Sequence, residues 1–394
     1  KFLIMSEIKV NSIKGVGAST AALTINNTDG TCTANITNNL SNRNLIINGA
    51  MQVAQRGTSS TTNGYGSVDR IQPYSANTSV TTTHSQVAVT TGGAYDAGFR
   101  KAFQVTKPAG SVAANGQIAI NYAIEGQDIV NSGWKMTDPN SKLTLSFWVK
   151  SSVANHNPTF YIQAYDTPSA TQFFNGQVSA LTADTWTKVT TVISGHADIG
   201  IADDNTKGLA IGLNPWYGTD FTDAGNTNGA WTTFGTKPVD STWLTTNNST
   251  FQVTGIQLEV SDYATSFEFR SYADELAKCQ RYCYEHLASG AGPTASIMLG
   301  CYYNSSRIYG SFKWPVTMRA SPTMVCTDAT GAFIAYRDGT NDEVDEFHID
   351  SSNNVGPNGA EILNDTDASG TAGHACFVRR QYATTTTFRF EAEL

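Results

Sequence analysis

The sequence predicts a mainly β protein: an antiparallel jelly-roll β-sandwich, a short connecting helix, a second C-terminal β-domain and an extended N-terminal arm. Three observations lead there. Charged residues make up only 15% of the 394 positions, against roughly 25% in ordinary soluble domains. Thr, Ser, Asn and Gly fill the gap, and these suit pleated surfaces and turns better than helices. Apolar residues recur with a period of two in short runs broken by Gly, Asn, Asp and Pro. A helical period is clear in one stretch, 272–287.

The arm, 1–44, contains "MSEIKVNSIKGVGASTAALTINNTDGTCTANITNN". Alternation at Leu23/Ile25 and Cys32/Ala34/Ile36 predicts short strands, but there are too few large apolar groups to bury a core. Other copies of the chain, or another protein, must cover it. In 45–270 the strands are "LIINGAM", "RKAFQVTK", "GQIAINYAIE", "SKLTLSFWVKSS", "TFYIQAYD", "WTKVTTVIS", "GLAIGLNP" and "FQVTGIQLEV". In the fourth, Leu143, Leu145, Phe147 and Val149 share one face, with Thr144, Ser146 and Trp148 on the other. So many half-buried strands in one block predict a sandwich or jelly roll.

The connecting helix falls in 271–290. Ser271 can cap it, Asp274 holds the capping-box position, and Leu276, Cys279, Cys283 and Leu287 line one face. The second β-domain, 291–394, takes its strands from "SIMLGCYYNS", "RIYGSFKWPVTM", "GAFIAYRD", "HACFVRRQYA" and "TTTFRFEAEL".

Composition narrows the partners. A net charge of −8 without a Lys/Arg run argues against nucleic acid, whose phosphates need clustered cations. No apolar stretch reaches the roughly 18 residues that cross a bilayer, and "KFLIM" is short for a signal-peptide core. The six cysteines fit neither a disulfide framework nor a paired zinc module and read as free thiols. No nucleophile elbow, HExxH or phosphate loop occurs in its required context, and the histidines show no helical i, i+4 pair. An enzyme would have to use carboxylates from Asp203/Asp204, Asp220/Asp223 or Asp342/Glu343/Asp345/Glu346, as glycoside hydrolysis does. None of these carries a catalytic motif, so no catalysis is expected.

Binding calls for aromatic rings beside hydrogen-bonding groups on loops of a rigid scaffold. The stretch "NPWYGTDFTDAGNTNGAWTTFGTKPVDSTW" supplies Trp216, Tyr217, Trp231 and Trp243, with Asp220, Asp223 and Asn226 among them. These rings either hold a glycan or cover a sheet edge or a neighbouring subunit. Trp134, Trp148, Trp186 and Trp314 sit in or beside strands and read as packing residues. Arg56, Asp69 and Arg70 flank a long Gly/Ser/Thr turn. A pairing of Asp69 with one of the arginines would pin that hairpin to the sandwich, the rival being a sugar contact.

Several blocks in order, "NLIINGAMQVAQRGTS", "YGSVDRI", "LTLSFWVKSS", "TWTKVTTVI", "VTGIQLEVSDYATSFEFRSYADELAKCQRYCYE" and "FKWPVTMRASPTM", resemble a family of bacteriophage tail-fibre and structural proteins. The resemblance covers about 45–326, and those proteins carry a module similar to jelly-roll carbohydrate-binding domains. Asn48 and Gly49 match that module's first strand. Ala50, Met51 and Gln52 follow where such modules often place an acid on structural calcium, and Glu259 stands in the closing strand where an acidic group often lies. One carboxylate falls short of the six to eight oxygens calcium takes, so no cofactor is expected. The resemblance implies a homotrimeric fibre on the virion, assembled in the host cytoplasm. Its arm would bind other tail proteins and its loops a host surface glycan. A capsid decoration or tail connector without receptor affinity is the alternative, and a polysaccharide depolymerase a further one.

Overall fold

The computed structural model describes residues 10–14, 16, 23–25, 28, 32–34, 42–165, 172–287, 296–327, 329–350, 355–381 and 386–394. Two six-stranded antiparallel sheets face each other. One runs Ala230–Thr232, Gln172–Gln177, Thr159–Ala164, Lys207–Tyr217, Gln117–Glu125, Gln72–Ala76. The other runs Thr187–Ser194, Lys142–Ser151, Ser249–Val260, Lys101–Lys107, Thr83–Ala88, Ser59–Ser60. The predicted sandwich is therefore present, and period-two alternation builds it. Leu143, Leu145, Phe147 and Val149 meet Ile118, Ile120, Phe160, Ile162, Ile211 and Leu213 in one core, with Phe147 edge-on to Phe160 at 5.5 Å between ring centroids.

The segment read as the first strand, "LIINGAM", is not a regular strand. Side-chain hydrogen bonds fasten it instead. Asn44 Oδ1 accepts from Ile46 N and Leu258 N at 3.0 and 3.1 Å. Asn48, at φ +60°, donates to Val53 O and Asp69 O and accepts from Val53 N. Gly49 is required there, since a Cβ would lie 2.1 Å from Ile256 O. Glu259 is buried and occupied: Thr265 N and Oγ1 and Gln257 Nε2 donate to it, and Arg43 lies 3.4 Å away.

The expected pairing of Asp69 with a neighbouring arginine is replaced by something longer-ranged. Asp69 accepts from Gln55 N at 2.9 Å and from the Gln55 amide. Arg56 pairs with Glu391 and Glu393 at 2.9 and 3.0 Å, and Arg70 with Glu393. The arginines thereby clamp the sandwich to the C-terminal strand. Arg70 also lies 3.4 Å over the Tyr282 ring and donates to Ala123 O at 2.7 Å. Beside it, Arg281 forks onto Glu125 at 2.8 and 2.7 Å.

The connecting helix is shorter than predicted. Ser271 caps it by accepting from Asp274 N at 3.1 Å, but it runs only Tyr272–Gln280. Cys283–Glu285 then pairs as a strand with Phe388–Glu391. A distant partner strand overrides the local helical pattern there. Beyond it, Cys283–Glu285, Phe388–Glu391 and Thr323–Cys326 form a small sheet packed against an eight-stranded one, with Phe312, Trp314, Phe333, Phe347, Phe388 and Phe390 between. Among the described residues, Cys279, Cys283, Cys301 and Cys376 are free thiols. In the arm, Ser12–Ile13, Leu23–Ile25 and Cys32–Ala34 form a three-stranded sheet, and the expected contribution of Ile36 lies outside the described residues.

Candidate functional site

Alternation decides which aromatics of the Asn214–Trp243 stretch can meet a ligand. Trp216 sits opposite Ile118 on the inward face and is 2% exposed. Trp243 is fully buried, stacked on His156 at 5.4 Å, with its Nε1 donating to Thr250 O at 3.0 Å. Both are core residues, a correction to the reading of them as glycan contacts: each lies where the sandwich closes. Trp231 pairs with inward-facing Phe174, is half-buried, and spends its Nε1 on Ser194 O at 2.8 Å. Asp220 and Asp223 are exposed on the loop, Asp223 holding a turn through Gly225 N at 2.8 Å. Asn226 is half-buried and donates to Phe234 O at 2.8 Å.

Tyr217, one residue past Trp216, points the other way. It belongs to the outer face of the six-stranded sheet that holds Thr159–Ala164, Lys207–Tyr217 and Gln117–Glu125, where strand register gathers a second set of side chains. Tyr161 lies opposite Gly212 and Asn175. Its ring folds over Gly212 so closely that a Cβ there would come within 2.1 Å of it. The Tyr161 hydroxyl donates to Asn121 Oδ1 at 3.1 Å, and the Tyr217 phenol lies near enough to influence its titration. Phe173 stands edge-on to Tyr161 at 5.8 Å, and Phe221 lies 5.5 Å from Tyr217. Tyr165 donates to Gln163 Oε1 at 3.1 Å, and Lys207 Nζ sits 5.2 Å over its ring. Tyr74, 40% exposed, continues the row on the edge strand.

Burial pushes the Tyr161 phenol up to about 12 and the Tyr217 phenol well above its ordinary value. Both stay protonated at neutral pH, the Tyr161 hydroxyl donating to Asn121 Oδ1. Beside Tyr217 the sheet ends in a hollow of about 340 Å³ whose wall includes Val112, Thr219, Val239 and Asp240. The face offers flat apolar rings edged by amides and hydroxyls, with one flanking cation. Among the described residues no group of three or more His, Cys, Asp or Glu comes together as a metal centre.

Tyr161, Tyr165, Phe173, Asn121 and Gln163 escaped the sequence reading, which looked for turn-rich aromatic loops. The signal was present in "TFYIQAY", where Phe160 and Ile162 alternate with Tyr161, Gln163 and Tyr165.

No family profile matches the chain, and no curated protein matches it. Among solved structures, the enzymatically active domain of tailspike protein 4 of bacteriophage CBA120 is similar at 10% identity and TM-score 0.30, over 56% of this chain and 22% of that one. A family 4 carbohydrate-binding module is similar at 13% identity and TM-score 0.30, over 55% and 99%. The N-terminal cellulose-binding domain of Cellulomonas fimi β-1,4-glucanase C follows at 12% and 0.25, over 54% and 100%. Likeness this distant carries no ligand or activity across.

Proposed function

We propose that this chain is a phage tail-fibre protein that attaches to the host surface by holding a glycan on the outer face of its six-stranded sheet. The observation that carries the binding half is the Tyr161–Tyr217 pair. Two neutral phenols, one laid flat over a glycine, lie among the Asn121 and Gln163 amides. A pyranose has the matching chemistry, a C–H face for the ring and hydroxyls for the amides. The virion half rests on the family resemblance of the strand blocks. The arm serves as the attachment to other tail proteins, and copies of the chain on one particle multiply weak contacts into avidity.

Binding of the purified chain to host cells and to their extracted surface polysaccharide tests this. Tyr161→Ala should weaken it at least tenfold, about 1.4 kcal/mol, as truncation of a contributing interface residue does. Undiminished binding in that variant moves the site elsewhere. No binding by the unmodified chain favours a decoration or connector role, and release of reducing ends would make the chain a depolymerase.

A further inference from the structure

We infer that the C-terminal domain carries a second saccharide site, a groove on the outer face of its large sheet. Cys301 and Tyr309 lie opposite each other across the strands Ser296–Asn304 and Arg307–Lys313, with Tyr302 and Ile308 turned into the core. That register sends Tyr309 outward. Tyr303 is 69% exposed and stands edge-to-face with Tyr309 at 5.6 Å. Leu299 is 73% exposed along the same strand. The hollow they line measures about 670 Å³, inside the range of small-molecule sites. Arg307, held at 3.0 Å by Asp365, borders it, as do Asp350 and Glu361.

Both the apolar and the polar part of that lining select the occupant. Leu299, Tyr303 and Tyr309 together make a contiguous exposed apolar patch, which suits a partner with apolar surface. A second copy of this chain would supply that, but the centres of protein interfaces are depleted of charge, and this groove brings a guanidinium and two carboxylates to the rings. The carboxylates disfavour an anionic ligand, nucleic acid included. A neutral saccharide satisfies both parts, with ring C–H groups on Tyr303 and Leu299, hydroxyl oxygens accepting from Arg307, and hydroxyl hydrogens donated to carboxylate oxygens.

The inference rests on reading the chain as a glycan binder but shares no residue with the Tyr161 face, so the two can fail separately. The test is hydrogen exchange by mass spectrometry on the full chain with a panel of neutral oligosaccharides of three to six hexoses, alongside titration calorimetry. Protection should arise at 299–309, with Tyr303→Ala abolishing it and weakening that binding at least tenfold while Tyr161→Ala leaves it intact. Protection confined to Thr159–Ala164 and Lys207–Tyr217 overturns the C-terminal site and leaves the first. Protection nowhere overturns both. If Tyr303→Ala instead converts an oligomer to a monomer in sedimentation without changing saccharide binding, the groove is a contact between copies and the inference falls.

Discussion

Three of the buried titratable side chains, His84, His156 and Asp69, carry large shifts in the acid range and shape how stability follows pH. His84 and His156 are 1% and 2% exposed, and burial, the largest cause, holds each imidazole down at about 4. In the unfolded chain they take up a proton near 6.5. From about pH 6.5 to 4 the unfolded state therefore binds more protons, and stability falls as pH falls. Asp69 acts in the opposite sense. Burial raises it to about 6, against the Gln55 hydrogen bonds and nearby Arg56 that lower it. Between about pH 4 and 6 the folded state keeps a proton the unfolded chain has lost, so this residue's contribution declines as pH rises. Each displacement is worth about 3 kcal/mol, and two histidines outweigh one aspartate. The melting temperature should drop from pH 6.5 to 4; His156→Gln should flatten that slope and Asp69→Asn steepen it. A flat profile in the unmodified chain would contradict this account.

The strand Lys207–Tyr217 shows how one element serves two faces. Leu209, Ile211, Leu213 and Trp216 fill the core, while Gly212 and Tyr217 serve the outer face. The even alternation shifts between Leu213 and Trp216, where the register slips against Gln117–Glu125. That bulge turns Trp216 inward and Tyr217 outward. Gly212→Ala makes the outer face testable apart from the core. Its Cβ would displace the Tyr161 ring, the free end of a side chain that can swing away, without touching the inner residues. The variant should still fold, at a cost of about 1–3 kcal/mol for crowding a buried position, yet lose polysaccharide binding at least tenfold. A variant that binds as before would show that Tyr161 is not part of the site.

The two β-domains are joined by buried ion pairs rather than by a linker alone. Arg56 and Arg70 from the sandwich meet Glu391 and Glu393 from the far end of the chain. Arg319 donates to Asn205 O and Ala392 O at 2.8 Å, and Gln55 donates to Cys283 O at 2.7 Å. Arg70 is 1% exposed and adopts φ +70°, a conformation a non-glycine residue holds only when its surroundings compel it. Arg70→Ala leaves Glu393 with half its cations in a buried site and should cost about 3–5 kcal/mol. Calorimetry should show one cooperative transition for the unmodified chain and two for this variant, as the sandwich and C-terminal domain uncouple. A single transition at unchanged temperature would show that the clamp does not join them.

The strands Lys101–Lys107, Gln117–Glu125, Lys142–Ser151 and Ser249–Val260, the sandwich, the Ser271 cap and the inward row of Leu143 to Val149 could be read from the chain, because a period of two or a capping side chain involves neighbours a few residues apart. Burial of Trp216 and Trp243 could not, because composition around a tryptophan does not reveal whether the opposite sheet closes over it. The same limit hid the end of the helix at Gln280, set by the pairing of Cys283–Glu285 with Phe388–Glu391. It also hid the partners of Arg56 and Arg70, more than 300 positions away in the chain. Local spacing dictates which residues alternate; only the folded chain, by bringing distant strands and charges into contact, decides which rings stay open and which ions meet.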